Sequence, residues 1–105
     1  MTSNNASSGA SAAERIEAVR SRMNAAAIDA GRRPQDVVLV AVSKTFDVPD
    51  IVPFIDAGIR VFGENRVQEA ASKWPELKER QSDVELHLIG PLQSNKVGDA
   101  VGLFD

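Results

Sequence analysis

Hydrophobic spacing in the first third of the chain predicts one amphipathic helix. From Ser11 to Ala30 apolar residues recur every three to four positions, which is typical of a helix with one apolar face. Ser11 and Glu14 match a capping box at its start, and Gly31 is placed to end it in a left-handed conformation. Residues 1–10 are rich in Ser, Asn and Ala, and they predict a disordered tail that is too polar to bury anything.

Three short apolar runs further along the chain predict β-strands. The first, residues 37–42 (VVLVAV), is a continuous run of mostly β-branched residues, which is typical of a strand buried on both faces. The second strand is expected at residues 59–62, with Phe62 on the same inward face as Val42. The third is expected at residues 84–89.

Helical segments follow the strands. One helix is expected at residues 49–57, kinked or starting late because of Pro53 and stopped by Gly58. A second begins near Asn65 and is expected to be interrupted at Pro75. A third begins near residue 93 or 94, and residues 102–105 are expected to approach a fourth strand.

The repeated strand–helix unit indicates an α/β fold with a parallel sheet and right-handed crossovers. A complete barrel of eight such units needs roughly 250 residues. The chain has 105 residues and three predicted strands. The spacing therefore fits the amino-terminal portion of a (β/α)8 TIM barrel, but it fits a small open α/β domain equally well. A single domain is expected over residues 11–105.

Composition narrows the classes of function and site. Twelve Lys and Arg against 15 Asp and Glu give a net charge of −3, and the charges are interspersed, so nothing favours nucleic acid or an anionic membrane as a partner. The chain has no Cys and one His, which excludes thiolate and multi-histidine metal sites. It contains no apolar run of membrane-spanning length and no signal-peptide pattern, so a cytoplasmic location is expected.

Polar clusters follow all three predicted strands. In parallel α/β folds the carboxyl ends of the strands meet at one rim, where reactive groups usually lie. Lys44 ends the first strand on the face of Val40 and Val42. Burial there would favour its neutral amine, the form that attacks a carbonyl group and makes a Schiff base. The alternative is a lysine that extends into solvent from a strand end.

Two further residues at this rim have both a structural and a functional interpretation. Asn65 is either the N-cap of the following helix, with Gln68 at the capping-box position, or a ligand contact. His87 alternates with the apolar Leu86 and Leu88, so it is expected to point away from the helices and close to the rim. It is either a hydrogen-bonded interior histidine or part of a site.

Three motifs resemble those of the pyridoxal phosphate homeostasis proteins: residues 40–45 (VAVSKT), 62–69 (FGENRVQE) and 87–96 (HLIGPLQSNK). The resemblance implies a barrel like the amino-terminal domain of alanine racemase, and pyridoxal 5'-phosphate as the cofactor. It also implies that Lys44 holds this cofactor as a Schiff base and that Asn65 and His87 line its pocket. It implies no catalytic residue and no metal ligand.

The resemblance implies a role in intracellular homeostasis of the cofactor, with little or no catalytic turnover and with pyridoxal-phosphate-dependent apo-enzymes as partners. Family members are longer, and their carboxyl half supplies the phosphate cup. Two alternatives stay open. One is a Schiff-base enzyme of the racemase or aldolase type, for which only His87 and Glu64 offer a second acid or base. The other is a truncated fragment that binds no cofactor.

Overall fold

The structure, a computed structural model, describes residues 11–105. The tail predicted at residues 1–10 therefore lies outside the described residues. The chain divides into two compact units, Met1–Leu39 and Val40–Asp105, and each is described by itself. Among the described residues, no helix has both the length and the apolar character needed to cross a membrane. The expectation of a single domain over residues 11–105 stays a prediction.

The first unit is the predicted helix followed by a turn. Helix α1 spans Ala12–Asp29. Its capping box is confirmed, because the Glu14 amide donates to Ser11 Oγ at 3.1 Å and the Ser11 amide donates to Glu14 Oε1 at 3.0 Å. Gly31 follows with a φ of 73°, the left-handed conformation expected of a glycine after a helix. A short 3-10 helix follows at Pro34–Asp36.

The second unit is a small parallel sheet with helices. Its elements, in chain order, are β1 (Ala41–Val42), α2 (Val48–Asp56), β2 (Val61–Glu64), α3 (Val67–Arg80), β3 (Glu85–Leu88), a 3-10 helix (Ser94–Lys96) and α4 (Val97–Leu103). The strands lie in the order β1-β2-β3 and both pairs are parallel. The predicted α/β class, with helices between parallel strands, is therefore confirmed.

Strand register defines two faces of this sheet. Side chains alternate along a strand, and Phe62 is paired with Ala41 on one side and Leu86 on the other, so these three share a face. This helix face is packed against α3: the rings of Phe62 and Trp74 lie 5.0 Å apart, and Leu86 and Trp74 are fully buried. The strand residues on the helix face are Ala41, Phe62, Glu64, Leu86 and Leu88. Ser43 and Val84 extend this face beyond the strand ends.

The opposite side is the open face, and it is much more exposed. It is formed by Val40, Val42, Val61, Gly63, Glu85, His87 and Ile89. Val42 is 49% exposed and Ile89 is 48% exposed. The alternation predicted for the third strand is confirmed, since Val84 and Leu86 are buried whereas Glu85 and Ile89 are exposed.

The first two strands depart from the predictions. β1 covers only Ala41–Val42, and it is not buried on both faces, because the described part of this unit packs side chains only against its helix face. β2 begins at Val61 instead of residue 59. Phe62 lies on the helix face and not beside Val42, because its pairing with Ala41 and Leu86 fixes its direction.

The prolines interrupt the helices less than the pattern predicts. α2 contains Pro53 and ends before Gly58, which has a φ of 108° as expected for a helix stop. α3 continues through Pro75 to Arg80, although an interruption was expected. Pro75 removes a hydrogen bond to the carbonyl of Ala71, which is on an exposed turn and open to water. Burial of the neighbouring apolar residues is sufficient to keep the helix continuous.

The last two residues lie along the outer edge of β3. The Asp105 amide donates to the Leu86 carbonyl at 2.8 Å, and the Leu86 amide donates to Asp105 Oδ2 at 2.8 Å. Phe104 is extended, with φ −88° and ψ 150°. Residues 102–105 were expected to approach a fourth strand, and these bonds occupy the edge where such a strand would pair.

Candidate functional site

The loops after β2 and β3 approach each other closely at the carboxyl end of the sheet. A Cβ on Gly90 would lie 2.7 Å from the carbonyl oxygen of Asn65. Real Cβ atoms do not approach a backbone oxygen so closely, so this contact requires glycine at position 90. The clusters that follow the strands therefore share one rim, as the sequence predicted.

Lys44 lies in the turn after β1, at the carboxyl end of the sheet, and its side chain is exposed. The burial expected of it is therefore not observed. The preceding residue, Ser43, is on the helix face and only 4% exposed. The amine of Lys44 is therefore accessible to a small molecule, and the argument from burial for a neutral amine does not apply to this structure.

An apolar floor lies on the open face around Gly63. A Cβ on Gly63 would lie 3.0 Å from Ile89 Cδ1 and 3.3 Å from Val40 Cγ1, so these two side chains meet over the glycine. Gly63 is paired in register with Val42 and His87. The open face is thus hydrocarbon-lined at this point, which suits the face of an aromatic ring.

His87 points to the open face, as predicted. Its ring is 41% exposed, and Nε2 lies 3.4 Å from Glu85 Oε1 on the same strand. It is therefore not the buried, hydrogen-bonded histidine of the alternative interpretation. Gly63 in β2 lies between His87 in β3 and Val42 in β1. Because glycine has no side chain, nothing on β2 separates these two positions on the open face.

Asn65 does not cap the following helix. α3 begins at Val67 with Arg66 as its N-cap residue, and no side chain makes a capping hydrogen bond there. Asn65 instead lines a cleft of about 380 Å³ between the loops after β2 and β3. The complete lining is Asn65, Arg66, Val67, Gln68, Pro91, Gln93 and Lys96. The structure thus places Asn65 in a polar cleft with two cations, and this lining includes neither Lys44 nor His87.

A buried polar cluster lies directly behind Lys44 on the helix face. Glu64 is fully buried, and its Oε2 accepts hydrogen bonds from Ser43 Oγ at 2.5 Å and from Trp74 Nε1 at 2.9 Å. The same oxygen lies 2.9 Å from the ammonium of Lys73, whose side chain is 5% exposed. Its Oε1 has no hydrogen-bond partner in the part of the chain that the structure describes.

The sequence analysis did not predict this cluster, and it assigned no role to Lys73. One signal could have identified it: Lys73 shares the helical spacing of Ala70, Trp74 and Leu77, the buried face of α3. A lysine on an apolar face is almost always paired when it is buried. Glu64, which the sequence placed among the rim residues, is its partner.

The backbone of the Lys44 loop has an unusual conformation at the next residue. Thr45 has a φ of 67°, the only positive value among the described non-glycine residues. A β-branched residue there is strained by about 1–3 kcal/mol. The Thr45 amide donates to Glu69 Oε2 at 2.5 Å, and Lys73 donates to the carbonyls of Ser43 at 2.8 Å and Phe46 at 2.7 Å.

These groups fit an aldehyde cofactor with an aromatic ring and an anionic substituent. Lys44 supplies an accessible primary amine, and Val40 and Ile89 supply an apolar surface on the open face. Arg66 and Lys96 add positive charge to the cleft that Asn65 lines. Residues 11–105 contain no group of three or more His, Cys, Asp or Glu side chains placed to hold a metal ion.

The chain is similar to several known proteins. It is 47% identical over 85 residues to the pyridoxal phosphate homeostasis protein of Escherichia coli (strain K12), covering 80% of this chain and 36% of that relative. It is similar to the structure of PipY from Synechococcus elongatus PCC7942 with PLP bound, with a TM-score of 0.73 and 44% identity, covering 90% of this chain and 39% of that one.

A crystal structure of an unknown protein from Bifidobacterium adolescentis gives a TM-score of 0.82 at 37% identity, covering 90% of this chain and 42% of that one. No family model matches the chain. The chain spans a little over a third of the length of the curated relatives it matches, for example 36% of the Escherichia coli protein.

Proposed function

Because this chain is a homologue of the pyridoxal phosphate homeostasis proteins, we propose that it binds pyridoxal 5'-phosphate and serves cofactor homeostasis in the cytoplasm. The homology confirms the resemblance that the three sequence motifs indicated. The observation that carries the proposal is the position of Lys44, which is an exposed amine at the carboxyl end of a sheet whose open face carries an apolar floor. The recipients of the cofactor in this proposal are pyridoxal-phosphate-dependent apo-enzymes.

Lys44 is the proposed attachment point of the cofactor. Its amine nitrogen bonds to the aldehyde carbon as a Schiff base, with release of water. The cofactor ring then lies against the apolar surface that Val40 and Ile89 form above Gly63. The glycine lets these two side chains pack down onto the sheet, since even a Cβ would already lie 3.0 Å from Ile89.

Asn65 and His87 complete the proposed pocket. His87 lies on the open face, and its ring is accessible from that side. Asn65 offers amide groups from the cleft, where Arg66 and Lys96 favour an anionic group. All three residues follow or end different strands, which is the usual arrangement of a site at the rim of a parallel sheet.

The sheet itself is proposed to be part of a (β/α)8 barrel. Two features support this: the open face is apolar yet half-exposed, as expected of a barrel interior without its opposite wall, and Asp105 already bonds to the outer edge of β3. A small open α/β domain does not account for Val42 and Ile89 on an uncovered face, because such sheets bury both faces.

Binding is favoured over a racemase or aldolase activity by the placement of Glu64. Acid–base catalysis at Lys44 needs a second titratable group on the same face. Glu64, one of the two residues offered by the sequence, is fully buried on the helix face and paired with Lys73. His87 is then the only remaining group that the sequence offered for that role.

Reductive trapping tests the proposal directly. The chain is incubated with pyridoxal 5'-phosphate, reduced with borohydride, digested and mapped by mass spectrometry. We expect the pyridoxyl group on Lys44, and no label at that peptide in Lys44→Ala. Lys78→Ala is the matched control, because Lys78 is a partly exposed lysine on α3 far along the chain from the rim loops. Labelling mainly on Lys73, Lys78 or Lys96 would contradict the assignment.

A further inference from the structure

Two charged side chains of α3, Lys73 and Glu69, hold the loop that carries Lys44 through hydrogen bonds to its backbone. Its turn is closed by a hydrogen bond from the Phe46 amide to the Ser43 carbonyl at 3.2 Å. The Lys73 ammonium reaches through the helix face to the carbonyls of both Ser43 and Phe46, at 2.8 and 2.7 Å. One buried cation therefore binds the two ends of the turn on whose outer side Lys44 is exposed.

A second contact holds the middle of the same turn. The Thr45 amide donates to Glu69 Oε2 at 2.5 Å, and that oxygen lies 3.5 Å from the Lys73 ammonium. Thr45 has a φ of 67°, which a β-branched residue does not adopt unless its surroundings hold it there. The hydrogen bond to Glu69 thus holds the backbone at Thr45, the residue with the strained conformation.

The charge of Lys73 is itself compensated. Glu64 lies 2.9 Å from its ammonium and Glu69 lies 3.5 Å from it, while two carbonyls accept its protons. A lysine this well satisfied does not leave its site to reach solvent, because an unpaired buried ammonium is costly. These contacts favour a fixed structural position for Lys73 over reaction with a ligand.

We infer that Lys73 is a positioning residue: with Glu69 it holds the Ser43–Phe46 turn in its strained form and so presents the Lys44 amine at the rim. The inference rests on the proposed function, since it assigns Lys44 as the cofactor lysine. It goes beyond that function by naming groups at the helix face of the sheet that set the reactivity of Lys44.

Substitution of Lys73 and of Thr45 tests the inference in the 105-residue chain. Lys73→Met keeps the length of the side chain and removes its charge. We expect the Thr45 and Phe46 amides to exchange hydrogen faster, and the adduct of pyridoxal phosphate with Lys44 to form about tenfold more slowly, the size expected for losing charge-assisted hydrogen bonds. Lys78→Met, on the same helix, leaves both measurements unchanged.

The double variant Lys73→Met/Thr45→Gly separates positioning from general stability. Glycine adopts a φ near 67° without strain, so it no longer needs to be held, and most of the lost rate returns. A general loss of packing is not repaired by this change. Glu69→Ala is the second test where Lys73→Met does not fold: it leaves the Glu64–Lys73 pair intact, and we expect about threefold slower adduct formation.

Three results overturn the inference: unchanged amide exchange at Thr45 and Phe46 in a folded Lys73→Met or Glu69→Ala chain, unchanged adduct formation despite faster exchange, and absence of rescue by Thr45→Gly. Failure of the proposed function gives a different result. The parent chain then forms no adduct on Lys44 at all, and amide exchange alone decides whether α3 holds the turn.

Discussion

Ser43 and Lys44 are neighbours in sequence but have opposite environments. Ser43 is buried on the helix face, hydrogen-bonded to Glu64 and held by Lys73 through its carbonyl. Lys44 is exposed in the turn after β1. The same contrast separates the two lysines: Lys73 is buried and paired, whereas Lys44 is accessible. The helix face therefore supplies stability, and the exposed groups form the surface proposed to bind the cofactor.

The comparison teaches that polar residues at a strand end are not all part of one site. Strand alternation sends successive residues to opposite faces. Glu64 and Ser43 face the helices, while His87 faces the open side and Lys44 is exposed in the turn beyond β1. A rim residue is a candidate ligand contact only when its direction places it on the face that a ligand can reach.

The largest expected loss of stability follows from removing the buried carboxylate on the helix face. Glu64→Ala leaves the Lys73 ammonium buried without its closest counter-ion and removes the acceptor of Ser43 and Trp74. We expect a loss of about 3–5 kcal/mol in the free energy of unfolding, measured by denaturant titration. Glu85→Ala, the same change on the open face, should cost less than about 0.5 kcal/mol. Equal losses in the two variants would show that the faces do not differ as described.

Strand β3 gives an apolar version of the same test. Leu86 is fully buried, and Leu86→Ala should destabilise the chain by about 2–5 kcal/mol. Ile89 is 48% exposed on the open face, so Ile89→Ala should cost less than about 1.5 kcal/mol. Denaturant titration of both variants checks the order. A larger loss for Ile89→Ala would indicate that the open face is covered in solution, for example by a second chain.

Asp105 contacts the outer edge of β3, which belongs to neither face. This contact is expected to make the free energy of unfolding depend on pH. A hydrogen bond from Lys78, reinforced by the Leu86 amide, lowers the pKa of Asp105 below the ordinary 3.8. Its stabilising effect is therefore present above that ordinary value and is lost as the pH falls through the lower folded value. Because the side chain is 43% exposed, the effect should be below about 1 kcal/mol.

Asp105→Asn should remove this contribution, so the variant loses less stability than the parent on acidification below about pH 4. Thermal unfolding followed between pH 2 and 6 measures it. Asp29→Asn, at an exposed carboxylate on α1, is the control. Parallel pH profiles of Asp105→Asn and the parent would contradict the role of this contact.

The smallest effect on stability is expected at the residue that matters most for the proposed function. Lys44→Ala removes an exposed side chain and should change the free energy of unfolding by less than about 0.5 kcal/mol, while abolishing trapping of pyridoxal phosphate at that position. Denaturant titration beside reductive trapping checks both parts. A large loss of stability in Lys44→Ala would show that Lys44, like Lys73, has a structural role.

The local structure and the order of the helices and strands could be predicted from the amino-acid sequence alone. The capping box at Ser11, the helix stops at Gly31 and Gly58, and the parallel strand–helix units follow from contacts within a few residues or from a period of two or 3.6. The apolar alternation of β3 likewise fixed the direction of His87. These features depend on short-range sterics and burial, which the pattern of residues expresses directly.

Which polar residues pair, and which face Phe62 and Glu64 occupy, depends on the tertiary structure. The Glu64–Lys73 pair joins a strand and a helix through one buried oxygen, and the sequence near each residue does not name its partner. The pairing of Phe62 with Leu86 sets Phe62 on the helix face, and the apolar pattern of β2 alone did not show this. Asn65 does not cap α3, one of its two interpretations, because α3 begins after Arg66. Such choices depend on packing between distant segments, where small differences in burial select one register from several that the sequence allows.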